Sequence, residues 1–140
     1  MRYIGLDLGS RTLGVSLSDP SGIIALNYII VRHNEEYDRL VDEVNRIILD
    51  KHVDKIVLGL PKNMNGTIGP KAQLSYEFKE KLEKGTGLEV ILEDERLTTK
   101  EATNILLEND TSRKKRKKVI DSLAATIILQ SYLDKCKKEN

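Results

Sequence analysis

Cysteine is nearly absent, with one residue, Cys136, in 140. A single thiol excludes an internal disulfide, and no Cys or His accompanies it at metal-site spacing, so it reads as a spare thiol. Long apolar runs are missing as well. No stretch approaches the roughly 18 consecutive apolar residues of a membrane span, and Met1-Arg2-Tyr3 leads to Asp7 without a signal-peptide core, so a cytoplasmic protein is expected. Aromatics are few, five Tyr and one Phe with no Trp, and none falls in the basic run at 113–118. That argues against an aromatic stacking platform in the run. No repeat, low-complexity tail or linker interrupts the chain. With 39% apolar and 32% charged residues, the composition predicts a single folded domain over residues 1–140.

Net charge is also small, +1, but it hides an asymmetry. Residues 109–140 hold nine Lys or Arg against four Asp or Glu, whereas residues 1–108 hold fourteen against eighteen. Arg113, Lys114, Lys115, Arg116, Lys117 and Lys118 supply the contrast. Such a run on a near-neutral protein points to local contact with a polyanion, the competing reading being a solvated loop.

Hydrophobic spacing lays out the elements. Residues 2–8 alternate, with Ile4, Leu6 and Leu8 on one face and Tyr3, Gly5 and Asp7 on the other. Turns at Gly9-Ser10-Arg11 and Pro20-Ser21-Gly22 separate this strand from one at 13–17 and another at 23–31, which predicts an antiparallel meander. Helical spacing follows at 35–51, then a strand at 55–60, a loop from Pro61 to Gly69 and a helix from Pro70 that Gly85 and Gly87 end. A strand at 88–94 precedes a helix from Thr98, whose capping box is completed by Glu101, and a last helix runs from near Lys117 to about Lys135. This order predicts an α/β fold, a mixed five-stranded sheet with helices on both faces.

Three sets of acids could carry chemistry. Asp7 lies within an apolar strand, and Gly5 and Gly9 beside it leave space for a ligand. Glu93-Asp94-Glu95 sits at the end of a strand, where ligands commonly bind, although exposure is the expected fate of any single member. Asp121 shares a helix face with Ala124, Ala125 and Ile128, where an acid needs a partner. A helix macrodipole offers about 0.3–1 kcal/mol against the several kcal/mol of desolvating an ion, so a bound cation resolves the conflict better than an N-cap. The two alanines would also let this helix approach the sheet and bring Asp121 toward Asp7.

The basic run precedes the same helix, where cations oppose the macrodipole, so its placement calls for another reason than stability. Phosphates supply one. Acids that gather a metal beside bases that hold phosphates describe metal-dependent phosphodiester cleavage, and Mg²⁺ suits an all-oxygen donor set. Arg96 either contacts phosphate or pairs with the neighbouring acids, and Lys62 in the 61–69 loop either reaches substrate or belongs to a simple turn. His33 and His52 receive no role.

Ile4 to Val15, Gly59-Leu60-Pro61 with Gly66-Thr67, Asp94 to Thr99, and Arg113-Lys114-Lys115 with Asp121 to Ala125 together resemble the YqgF family. That family, also called RuvX, comprises Holliday-junction-resolvase-like nucleases known also as pre-16S rRNA nucleases. The resemblance implies a ribonuclease-H-like fold, an acidic triad of Asp7, Glu95 and Asp121 as catalytic and metal-binding residues, and Mg²⁺ or Mn²⁺ as cofactor. It implies an endonuclease that matures the 5′ end of 16S rRNA, with structured RNA favoured as substrate, branched DNA as the alternative, and ribosomal precursor particles as a further partner. Resolvase relatives carry a fourth acid three residues after the one matching Asp121; here that position is Ala124. Two competing classes remain at this level: a sugar-kinase or actin-like ATPase, which would need a second lobe, and a non-catalytic nucleic-acid-binding module.

Overall fold

A computed structural model describes the backbone of residues 1–61, 68–95 and 113–139, and the side chains of these except 113–122, 138 and 139. Strand β1 (Tyr3–Leu8) turns into β2 (Thr12–Ser18) and then β3 (Ala25–Arg32). Helix α1 (Tyr37–Lys51), β4 (Lys55–Leu60), α2 (Pro70–Thr86), β5 (Val90–Asp94) and α3 (Arg113–Glu139) follow. The strands form one sheet in the order β3-β2-β1-β4-β5, antiparallel through β1, β2 and β3 and parallel from β1 through β4 to β5. The mixed five-stranded sheet and the meander are as expected. The helix expected from Thr98 with its Glu101 box lies outside the described residues.

Each layer follows from residue spacing. On α1, Leu40, Val41, Val44, Ile47 and Ile48 form one buried stripe. With Phe78 and Leu82 of α2 they cover Ile4, Leu6, Leu13, Val15, Ile56 and Leu58 on one face of the sheet. The other face packs Val57 and Ala25 against Ile128, Leu129 and Leu133 of α3. At about 1.5–3 kcal/mol for each fully buried aliphatic side chain, these three α3 residues contribute on the order of 5–9 kcal/mol before entropy, enough to dock the helix firmly.

Two boundaries differ from expectation. Gly87, at φ 73°, ends α2 in the left-handed conformation, but Gly85 lies inside the helix. A Cβ at Gly85 would stand 2.4 Å from Val41 Cγ1, so this glycine serves the close contact of α2 with α1. The last helix begins at Arg113 and not near Lys117, which places the whole basic run within α3. Lys and Arg are good helix formers, and no glycine or proline stands between Arg113 and Val119 to stop the helix from extending backward.

Candidate active site

Asp7, Tyr3 and Gly5 share one face of β1, and that face meets α3. Tyr3 packs edge-on against Tyr132 with ring centroids 5.7 Å apart. A Cβ on Gly5 would lie 2.7 Å from Leu129 Cβ and 3.0 Å from the Ala125 carbonyl oxygen. Buried Ser16, beside Gly5 on β2, donates its hydroxyl to that carbonyl at 2.8 Å. The close approach expected from the small residues of α3 is therefore real, but Gly5 serves the helix and leaves no room for a ligand. Gly9, held in its turn by donating to the Thr12 carbonyl at 2.8 Å, does line the space beside Asp7.

The second carboxylate comes from the far side of β4. Glu95 follows the end of β5, and its N–H donates to the Leu60 carbonyl at 3.2 Å. Because β4 runs between β1 and β5, the two acids can meet only across β4, and they meet above Gly59. A Cβ there would stand 2.3 Å from Glu95 Oε2 and 2.6 Å from Ile128 Cδ1. The missing side chain at 59 is thus a cradle for the Glu95 carboxyl.

Glu95 is hydrogen-bonded to the Asp7 side chain, and its pKa is pushed up to about 8. Burial is the largest cause, and the negative charge and hydrogen bond of Asp7 follow; Lys71 acts in the opposite direction, and Asp94 adds to the rise. Two carboxyls joined in this way share a proton or need another positive charge between them. Asp7 and Glu95 open into a pocket of about 250 Å³ whose wall also includes Gly9, Glu35, Tyr37 and Lys71. An all-oxygen pair with a raised proton affinity, cradled over a glycine and facing a pocket, fits a hard divalent cation.

The acidic trio is sorted by position along the strand, for Glu93 and Glu95 lie two residues apart and both reach the α3 side of the sheet. Glu93 is 4% exposed, a correction to the expectation that such a residue would be exposed. It accepts hydrogen bonds from Lys135 Nζ and, at 3.3 Å, from Ser131 Oγ, and so ties β5 to α3. Asp94 is half-buried and pairs in register with Leu60. Glu95 alone of the three lines the pocket.

Asp121 has its backbone in α3, while its side chain lies outside the described residues, as do those of Arg113, Lys114, Lys115, Arg116, Lys117 and Lys118. Lys62 and Arg96 lie outside them entirely. Among the described residues, no group of three potential ligands gathers.

Sequence reasoning passed over Gly59, Lys71 and His33. His33 is 4% exposed, accepts the Glu35 N–H at 3.0 Å on Nδ1, and contacts the Gly9 carbonyl at 3.0 Å through Nε2. Since Nδ1 accepts, the hydrogen must sit on Nε2, and the ring fastens two walls of the pocket together. Glu35 holds φ 69° at this point, a conformation uncommon outside glycine. Lys71 carried a signal that could have been read: it lies in the first turn of α2, which has no acid, where a cation opposes the helix dipole.

The chain is similar over nearly its whole length to a known family. A family model described as RuvX, Holliday junction resolvase, matches residues 1–135. A Listeria monocytogenes serotype 4b protein, provisionally named a pre-16S rRNA nuclease, is 53% identical over 135 residues, covering 96% of this chain and 98% of the relative. A Bacillus subtilis 168 protein of the same name is 51% identical with the same coverage. Among solved structures, Thermus thermophilus RuvC in complex with a Holliday junction substrate superposes with a TM-score of 0.58 at 13% identity, covering 91% of each chain, a likeness of fold. A Thermus thermophilus ROK hexokinase matches with a TM-score of 0.52 at 25% identity over 73% of this chain, which spans only 38% of that kinase.

Proposed function

The chain belongs to the RuvX family, and from that premise we propose that it is a divalent-metal-dependent endonuclease acting at the 5′ end of pre-16S rRNA. Asp7, Glu95 and Asp121 are its carboxylate ligands in this reading, within one nuclease domain over residues 1–140. The observation that carries it is the Asp7–Glu95 pair, hydrogen-bonded over Gly59 at the mouth of a 250 Å³ pocket. The packing of α3 on β1 supports including Asp121. Tyr3 meets Tyr132, and Gly5 meets Leu129 and Ala125. Two more residues of strand advance about 7 Å, close to one helical turn, and that step carries the contact from Gly5 to Asp7 and from Ala125 to the turn containing Asp121.

In this mechanism Asp7 and Glu95 give up their shared proton and face the pocket as two carboxylates. A bound Mg²⁺ or Mn²⁺ would supply the positive charge that holds both ionised, polarise the scissile phosphate and make water a stronger nucleophile. Lys71, across the same pocket, offers its ammonium to a phosphate oxygen and lowers the cost of ionising Glu95. His33 keeps Gly9 and Glu35, both in the lining of this pocket, at fixed separation. The basic run at the start of α3 holds the substrate backbone, and Arg96 and Lys62 add phosphate contacts. The substrate is structured RNA, met on ribosomal precursor particles in the cytoplasm. Ala124, partly buried, provides no fourth carboxylate of the kind resolvases carry, which favours RNA over branched DNA.

The test compares cleavage of a pre-16S 5′ fragment and a four-way DNA junction, with Mg²⁺ and with chelator. The wild type should cut the RNA in Mg²⁺ alone, and Asp7→Asn should bind it without cutting. Full activity of Asp7→Asn would remove the catalytic assignment, and preferential cutting of the junction would replace the substrate.

A further inference from the structure

A second cleft opens beside the catalytic pocket, and among the described residues that line it none is acidic, the nearest carboxylate being Glu36, ion-paired with Arg39 at 3.1 Å. Its volume is about 410 Å³, and its walls are Arg11, Thr12, Arg32, His33, Asn34 and Arg39. Three elements bring the arginines together. Arg11 ends the β1–β2 turn, and its carbonyl accepts the His33 N–H at 2.9 Å. Arg32 closes β3 opposite Thr12 in the sheet register. Arg39 reaches back from the first turn of α1 and donates to the Arg32 carbonyl at 2.9 Å. All three are exposed.

Local pairing accounts for Arg39, which forms an i,i+3 ion pair with Glu36, but among the described residues neither Arg11 nor Arg32 has an ion pair, so stability does not explain why all three gather. Guanidinium groups gathered around one cleft repel one another, and a cation in the first turn of α1 opposes the helix dipole. Two of them are nevertheless held in place. Arg11 Nη1 donates to Asn34 Oδ1 at 3.1 Å, and Arg39 Nη2 donates to Glu36 Oε2 at 3.1 Å. Glu36 is engaged in turn by the Asn34 N–H, at 3.1 and 3.0 Å to its two oxygens. A guanidinium carries five N–H donors in a rigid fork, so these contacts fix each group while leaving further donors for an oxyanion. His33 joins the two sites: one wall of the cleft is His33 itself, and its ring holds Gly9 and Glu35 of the catalytic pocket.

We propose that Arg11, Arg32 and Arg39 form a second phosphate site, which grips the backbone of the substrate strand beside the position to be cut. This rests on the nuclease reading for its substrate, but the cleft is distinct from the carboxylate centre and from the basic run of α3. Its contribution is sequence-independent, fixing register through phosphates and not through bases.

Binding is measured on the full chain carrying Asp7→Asn, in chelator, by fluorescence anisotropy of a labelled pre-16S 5′ fragment across a salt series. Removing the charge of Arg32 alone, as Arg32→Gln, should make the slope of log K against log salt shallower by about 0.7–0.9, one phosphate contact. Arg11→Gln with Arg32→Gln should remove about twice that and weaken binding at least tenfold at low salt, while Arg11→Lys with Arg32→Lys should keep most of the slope. Arg46→Gln, on the opposite half of α1, serves as the surface-charge control and should leave the slope alone. Arg32→Gln breaks no internal hydrogen bond named above, so it keeps the test alive if the double variant fails to fold. An unchanged slope in Arg32→Gln overturns the proposal. Millimolar binding of inorganic phosphate that is lost in the variant, with an unchanged RNA slope, also overturns it and assigns the cleft to a free anion. Failure of the nuclease reading would show separately, as no metal-dependent cleavage by the wild type, and would leave the slope result standing.

Discussion

Replacing Glu95 by Gln should stabilise the metal-free protein while destroying its response to metal. The wild-type carboxyl has its pKa pushed up from the ordinary 4.5 to about 8. Below pH 4.5 both folded and unfolded chains hold the proton, and the stability associated with it is fully present. Between 4.5 and 8 the unfolded chain has released a proton that the folded chain keeps, so each pH unit removes about 1.4 kcal/mol of stability. From pH 5 to 8 the ceiling is roughly 4 kcal/mol, and because the pocket opens to water the expected loss is about 2–3 kcal/mol. Gln resembles the protonated acid and can still donate to Asp7, so the variant should match the wild type near pH 5 and exceed it by that amount at pH 8. Urea unfolding in chelator at the two pH values measures the difference directly. Adding Mg²⁺ should reverse the order: at 1,000 times its Kd a ligand adds about 4.1 kcal/mol to the wild type, more than that deficit, and the variant should gain far less. A difference between the two proteins that stays flat from pH 5 to 8 in chelator would refute the coupling of Glu95 to Asp7.

Gly59→Ala should keep the fold but displace the Glu95 carboxyl from Oε2's present position, costing about 1–3 kcal/mol by overpacking and lowering Mg²⁺ affinity at least tenfold by calorimetry. Lys71→Gln should lower Mg²⁺-dependent cleavage by about a hundredfold, the low end for loss of one charge-stabilising donor, and Lys71→Arg should restore part of it in single-turnover assays. Gly5→Ala presses on Ser16 Oγ, which could turn away only by giving up its bond to the Ala125 carbonyl, and on Leu129 Cβ and that carbonyl, which cannot turn, and should lose about 1–3 kcal/mol in thermal unfolding with α3 content reduced by circular dichroism.

Where local spacing decides structure, the sequence is a sufficient guide. The alternation of β1, the buried stripe of α1 and the meander turns all appear where period and turn residues put them, because each depends on neighbours within a few positions. The site is less legible. Whether Glu93 or Glu95 faces the pocket depends on the pairing of β5 with β4 and on Lys135 lying within reach, neither of which is written in the spacing of three adjacent acids. Family resemblance pointed to Glu95, and the structure supplies the physical ground in Gly59. Glycine 5, read as room for a ligand, turned out to be room for a helix. Lys71 escaped notice and His33 was given no role because one lies in a helical first turn far along the chain from Asp7, and the other in a loop whose partners appear only on folding.

The sheet order also has a kinetic side. Asp7 belongs to the first strand and Glu95 follows the last, with a third strand between them, so the pair forms only after two parallel, long-range pairings are complete. Such pairings close late on the way to the native state. An ion bridging these acids would therefore act as a latch on the finished molecule: it would slow unfolding in proportion to its affinity and leave the refolding rate almost untouched.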